Sequence, residues 1–258
     1  MKKLIILKIL IALILIIVPY SAFAGDEYQE IFSNYQYDAF NRGADPWQLL
    51  TVEYNSKSSA GSVLGRINHA ERFNKTGQQV EIDVYHNLTD KMYVYINAGF
   101  SSSDNLFPDS RYGFDIYNSL PYAFEASLGL RNMNYTNSHI NLYTAYIGKS
   151  YSDYWFSFRY YYNPDPVTFS SSGHLALRRY FQDAYNFITV NLISGHTPDE
   201  NNYTTGQLRD NKISMDFQFS IFSESLFLKG EIGLENEEIS QNNFRNRTIY
   251  ALGVKQRL

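Results

Sequence analysis

MYVYINAGF (residues 92–100) sets Met92, Val94, Ile96, Ala98 and Phe100 against Tyr93, Tyr95, Asn97 and Gly99 in strict alternation. Successive strand side chains point to opposite sides, so the stretch reads as a strand with one apolar and one polar face. The same period recurs on both sides of it. Val80, Ile82 and Val84 alternate with Glu81, Asp83 and Tyr85, and Phe124, Ala126, Leu128 and Leu130 with Glu125, Ser127, Gly129 and Arg131. Further on, Ile213, Met215, Phe217, Phe219 and Ile221 alternate with Ser214, Asp216, Gln218 and Ser220. No window carries convincing helical spacing, so the chain reads as all-β.

Such strands suit a soluble sandwich with the apolar faces inward or a membrane barrel with them outward. Soluble strands usually run about 5–6 residues, whereas tilted membrane strands need about 9–11. The runs 79–87, 91–101, 122–132 and 212–222 fall in the longer class. Their polar faces carry charges at mid-strand, which a sandwich core would exclude and a polar lumen would accept. Tyr154 and Trp155 open one strand and Tyr160, Tyr161 and Tyr162 close it, the placement expected of interfacial girdles.

Short turns (near 56–61, 88–91, 119–121, 150–153, 182–184 and 222–225) alternate with a second set of connections. That set has longer polar segments near 39–46, 102–110, 163–172, 195–206 and 235–246, and tighter ones near 74–77 and 136–138. A barrel with short turns at one end and longer loops at the other has this rhythm. Counting back from the C-terminus to residue 47 gives an odd number of strands, and EIFSNYQYDAF (30–40) supplies the one that makes it even. The expected fold is a transmembrane antiparallel up-and-down β-barrel of about 14 strands, or about 12 if an end segment stays unpaired. Tyr250, Leu252 and Val254 alternate toward Leu258, like a C-terminal strand read by outer-membrane assembly machinery, although such strands usually end in Phe or Trp.

Lys2 and Lys3, the apolar run from Leu4 to Val18 interrupted by Lys8, and Ala22-Phe23-Ala24 form the three parts of a cleavable signal peptide. The expected organisation is therefore a signal peptide over 1–24, cleaved after Ala24, and a barrel domain over 25–258. Setting aside Lys2, Lys3 and Lys8 leaves 19 of the 22 basic residues against 26 acidic ones, a net charge of −7. That balance argues against a nucleic-acid partner. The 258 residues contain no cysteine, which excludes disulfide scaffolds, thiolate metal sites and Cys nucleophiles.

Two stretches carry a family resemblance: LGLRNMNYTNSHINLYTAYIGKSYSDYWFSFRYYYNPD (128–165) and SSSGHLALRRYF (170–181). Within them Leu130-Arg131, Tyr135, Trp155, Phe158-Arg159-Tyr160, the Ser-rich segment and Arg178-Arg179-Tyr180 resemble the recurrent pattern of the YaiO-type outer-membrane β-barrel family. The resemblance is diffuse and extends over most of the mature chain. It implies an outer-membrane location more than an activity.

Alternation assigns Glu81, Asp83, Arg111, Asp115, Glu125, Arg131, Arg159, Arg178, Asp216, Lys229 and Glu231 to the lumen face. Such a wall could select hydrophilic solutes, or its opposite charges could brace or block the barrel. The leading expectation is a pore or facilitated pathway for a hydrophilic solute, with a saccharide suggested by the tyrosine content. The alternative is a non-conducting structural or interaction barrel. A third reading, a lipid-modifying enzyme using Ser172 and His174, is weak, because the period that sends Leu175 and Leu177 to lipid sends these two inward. No enzyme and no cofactor are expected. Nor is a metal, since His69, His86, His139, His174 and His196 are scattered, and Asp104, Asp109, Asp199 and Glu200 read as solvated loop acids. Expected partners are outer-membrane lipid, the assembly machinery and a small hydrophilic solute.

Overall fold

The computed structural model describes residues 27–41, 43–72, 74–102, 106–136, 138–164, 169–196, 209–240 and 242–258. The expected signal peptide over 1–24 lies outside them. The strands are β1 (Tyr28–Phe40), β2 (Trp47–Ser58), β3 (Gly61–Arg72), β4 (Lys75–Asn87), β5 (Met92–Ser101), β6 (Ser110–Leu120) and β7 (Phe124–Tyr135). They continue as β8 (Ser138–Tyr151), β9 (Tyr154–Asn163), β10 (Ser170–Phe181), β11 (Asp183–His196), β12 (Arg209–Ile221), β13 (Ser223–Ser240) and β14 (Asn243–Arg257). Each pairs antiparallel with its sequence neighbours, and β1 closes on β14 with Tyr35 opposite Leu252. The result is a closed barrel of 14 strands, with EIFSNYQYDAF inside β1 as the counting predicts.

Both described ends of the chain and the shortest turns gather at one rim. Ser152, Gln182 and Phe222 make these reversals possible by adopting left-handed backbone, with φ of 50°, 68° and 59°. The other rim carries the longer connections and the tight ones after Arg72 and Tyr135, and one connection there departs from expectation. The polar stretch 235–246 is not a loop, because β13 runs to Ser240 and β14 resumes at Asn243. Its strands are polar on both sides: Glu235 and Glu237 pair inward with Arg247 and Arg245, while Asn236 meets Asn246 outward at 2.7 Å. Losing the apolar half of the alternation is what made it look like a loop.

Outward positions carry the exposed apolar surface, including Ile67, Leu128, Ile213, Leu234 and Leu252. In a bilayer this face meets acyl chains. Toward the loop rim it gives way to cross-strand pairs such as Asn132–Asn141 (2.8 Å) and Ser194–Asn211 (2.7 Å), whose polar groups need water or headgroups. Tyr154, Tyr160 and Tyr162 lie on the outward face, half-exposed, as a girdle requires. Trp155 and Tyr161 do not: strand parity puts them on the side of Arg159, where Trp155 stacks under Arg178 and Tyr161 packs against Met133, Ile140 and Leu142. An unbroken aromatic run necessarily splits between the two faces.

Candidate functional site

The inward face begins with pairing register. Glu53 on β2 lies opposite Arg66 on β3, which lies opposite Glu81 on β4, which lies opposite Gly99 on β5. With Cβ atoms of directly paired residues about 5 Å apart, a long guanidinium reaches carboxylates on both neighbouring strands. Arg66 accordingly meets Glu53 at 2.7 Å, Glu81 at 3.1 Å and Asp83 at 3.4 Å, and Arg111 meets Glu81 at 3.5 Å. Asp83 also accepts from Tyr95 Oη at 2.8 Å and from Asn97 Nδ2 at 2.6 Å. Gly99 lets Arg111 cross toward Glu81, since a Cβ there would sit 2.8 Å from Arg111 Cγ.

These groups bound an interior cavity of about 530 Å³. Its wall is drawn from β1–β6 on one side and β12–β14 on the other, so it lies within the barrel rather than on its surface. The far wall contributes Lys212, paired with Glu231 at 3.0 Å, and Arg247, paired with Glu235 at 3.0 Å and with Asp38 at 2.7 Å. Phe107 enters the same wall from the β5–β6 connection. Leu106 and Phe107 are buried against Ala70 and Leu49, which face inward, so this connection folds into the mouth of the barrel. Ser101 Oγ donates to Phe107 O at 3.3 Å and holds it there.

The remaining arc is packed rather than open. Asp115, fully buried, accepts from Arg131 Nη2, from Arg159 Nη1 at 3.2 Å and from Thr144 Oγ1 at 2.8 Å. Arg159 also donates to Tyr117 Oη at 2.5 Å and lies 4.9 Å from the Tyr146 ring centroid. Tyr117 stacks on Tyr93 with centroids 4.5 Å apart, and Tyr93 Oη donates to Glu125 at 3.1 Å. Arg178 donates to Thr189 at 3.0 Å with its guanidinium 3.9 Å from the Phe187 centroid, and Asn191 donates to Asp216 at 2.6 Å.

All eleven residues assigned to the lumen face share one strand parity, and they fall into two groups. Glu81, Asp83, Arg111, Lys229 and Glu231 line the cavity. Asp115, Glu125, Arg131, Arg159, Arg178 and Asp216 belong to the packed arc. Reading the sequence missed Glu53, Arg66 and Arg247 on the cavity, although the outward Leu50 and Val52 flank Thr51 and would have placed Glu53 inward. It also missed the inward loop, whose signal is the apolar Leu106-Phe107-Pro108 within an otherwise polar connection.

Ser172 and His174 both occupy inward positions of β10, and His174 Nε2 lies 3.2 Å from Asn191 Oδ1. That carbonyl oxygen could orient the ring, but among the described residues Ser172 makes no hydrogen bond to His174, the contact a nucleophile and its base need. Among the described residues, no group of three or more His, Asp or Glu side chains is placed to hold a metal ion. Asp104, Asp199 and Glu200 lie outside the described residues.

Comparison with solved structures finds chains of similar fold. OpdQ of Pseudomonas aeruginosa aligns over 91% of this chain and 99% of its own at 10% identity, with a TM-score of 0.52. OpdO of Pseudomonas aeruginosa aligns over 90% and 96% at 8% identity, with a TM-score of 0.50. At such identities the likeness is one of fold. No curated protein matches the sequence significantly. The family described as the YaiO membrane beta barrel domain matches residues 29–200, two thirds of the chain, spanning β1 to beyond β11. The chain therefore belongs to the YaiO family of outer-membrane β-barrels.

Proposed function

We propose that the protein is an outer-membrane pathway for a small hydrophilic solute, a saccharide among the candidates. The observation that carries this reading is the charged cavity of about 530 Å³ between β1–β6 and β12–β14. A solute passing through it would exchange hydration water for side-chain partners. Passage needs wall contacts that are favourable on entry and weak enough for release. Carboxylates and cations in close alternation offer many such contacts and no single deep trap. The path is off-centre, because the arc held by Asp115, Arg131 and Arg159 is already filled.

Liposome swelling with solutes of graded size and charge tests the proposal: uptake of small sugars should exceed that of empty vesicles and fall with solute size. A second reading, a non-conducting barrel, draws support from Leu106 and Phe107 folded into the mouth. It predicts a planar bilayer that stays sealed at every voltage. Neither reading assigns catalysis, and lipid hydrolysis abolished by Ser172→Ala and His174→Ala would overturn that. Export is proposed to remove residues 1–24 and leave Gly25 first, which N-terminal sequencing of outer-membrane protein checks. Assembly is proposed to proceed through recognition of β14 by the outer-membrane insertion machinery.

A further inference from the structure

Five carboxylates and six cations line the interior cavity, and one of the cations, Arg247, is also paired with Asp38 outside that lining. Each carboxylate is engaged: Glu53, Glu81 and Asp83 by Arg66, Glu231 by Lys212 and Glu235 by Arg247. Arg72 is buried at the mouth with its guanidinium 4.4 Å from the Trp47 ring. Lys229 is different. It makes no ion pair among the described residues, and its ammonium rests 4.0 Å from the centroid of the Phe32 ring.

The backbone beneath it explains the arrangement. Gly253 on β14 lies between Lys229 on β13 and Asn34 on β1. A Cβ on Gly253 would stand 2.7 Å from Phe32 Cε2 and 3.0 Å from Asn34 Oδ1. The missing side chain is therefore the space over which Phe32 and Asn34 lean, and the Phe32 ring brings in the ammonium of Lys229. The side chain of Asn34, like that of Lys229, has no hydrogen-bond partner among the described residues, and it faces the same cavity. A point cation and a carboxamide thus flank the same glycine on the cavity wall, neither with a hydrogen-bond partner among the described residues.

We propose that Lys229 and Asn34, arranged over Gly253 and Phe32, form a subsite for a hydrophilic monoanion, such as a sugar bearing one carboxylate. This rests on the pathway reading and names its solute class. Lys229 would take the carboxylate in a charge-assisted hydrogen bond, and Asn34 would donate to or accept from a neighbouring hydroxyl. One unpaired ammonium matches one carboxylate. A dianionic phosphate would leave uncompensated negative charge beside Glu53 and Glu231, and a neutral sugar would leave the ammonium unmatched.

Two measurements on the full folded chain separate this proposal from the pathway reading. Calorimetry in detergent micelles with glucuronate, glucose and glucose 6-phosphate should rank glucuronate first by about tenfold, the worth of one charge-assisted hydrogen bond. Lys229→Gln should lose that advantage, Lys229→Arg should keep most of it, and Asn34→Ala should weaken binding of glucuronate more than of acetate. Glucuronate and glucose binding alike, or Lys229→Gln leaving glucuronate affinity unchanged in a folded barrel, would overturn the subsite. Planar-bilayer recordings form the second arm. A conducting channel that glucuronate neither blocks nor crosses better than glucose refutes the subsite and spares the pathway. A sealed bilayer with Lys229-dependent glucuronate binding refutes the pathway and sustains the anion site.

Discussion

Replacing Asp115 by alanine should destabilise the barrel while leaving its ion selectivity alone. The carboxylate is wholly buried and shared by Arg131 and Arg159, whose side chains are 9% and 16% exposed. Removing one partner of a buried pair costs about 3–5 kcal/mol, because the other charge stays desolvated and unmatched. Losing the Thr144 hydrogen bond adds about 1 kcal/mol. Part of this is recovered, since Arg159 keeps Tyr117 Oη at 2.5 Å and Arg131 keeps the carbonyls of Leu130 and Phe114 at 3.1 and 3.3 Å. The net expectation is a loss of about 3 kcal/mol. Urea unfolding in lipid vesicles, followed by the fluorescence of Trp47 and Trp155, measures it. A loss below about 1 kcal/mol combined with a shifted reversal potential in a salt gradient would refute the division of the interior: Asp115 would then stand on the solute path and not in the packed arc.

Three further outcomes follow from the same geometry. Arg247 is buried between Asp38 on β1 and Glu235 on β13, so Arg247→Ala leaves two carboxylates uncompensated beside the closing seam; a loss of about 3–5 kcal/mol is expected, read as a lower midpoint of the heat-induced shift in gel mobility. Leu128 is 67% exposed on the outward face, and Leu128→Arg should cost about 2–4 kcal/mol in vesicles if it lies near the bilayer midplane, whereas the same change in a water-soluble β-protein would be nearly neutral. Phe107→Ala removes a ring from the cavity wall at the mouth and should raise single-channel conductance without changing the mobility of the folded form.

What could be read from the sequence follows from the physics of a strand. A period of two leaves a side chain only two directions, so Val80, Ile82 and Val84 fix where Glu81 and Asp83 must go without knowledge of any neighbour. Three things escape that logic. Position around the barrel is one: parity treats Asp83 and Asp115 alike, yet one lines the cavity and the other is sealed beneath two guanidiniums that reach it from β7 and β9. Closure is another, since Arg247 finds Asp38 across 209 residues of chain, a pairing that exists only because the barrel is shut. Loops are the third, where no period operates and Phe107 turns inward against Ala70 because burying its ring releases water.

These gaps share a cause, and it bears on function. In a soluble domain the apolar face defines the interior, and burial alone arranges its contents. In this barrel the apolar face is spent on lipid, so the interior has to be arranged by hydrogen bonds and charge pairs between neighbouring strands. Such pairs are satisfied locally, two or three strands at a time: Glu53–Arg66–Glu81 in one place, Asp115–Arg131–Arg159 in another. A side chain left over from that local matching has nowhere else in the fold to turn. Among the described residues Lys229 is held by an aromatic ring and no carboxylate. The energy of an unmatched ammonium is recovered only when something enters from outside, which is why a leftover charge in a polar interior is a better guide to the solute than the many charges already paired.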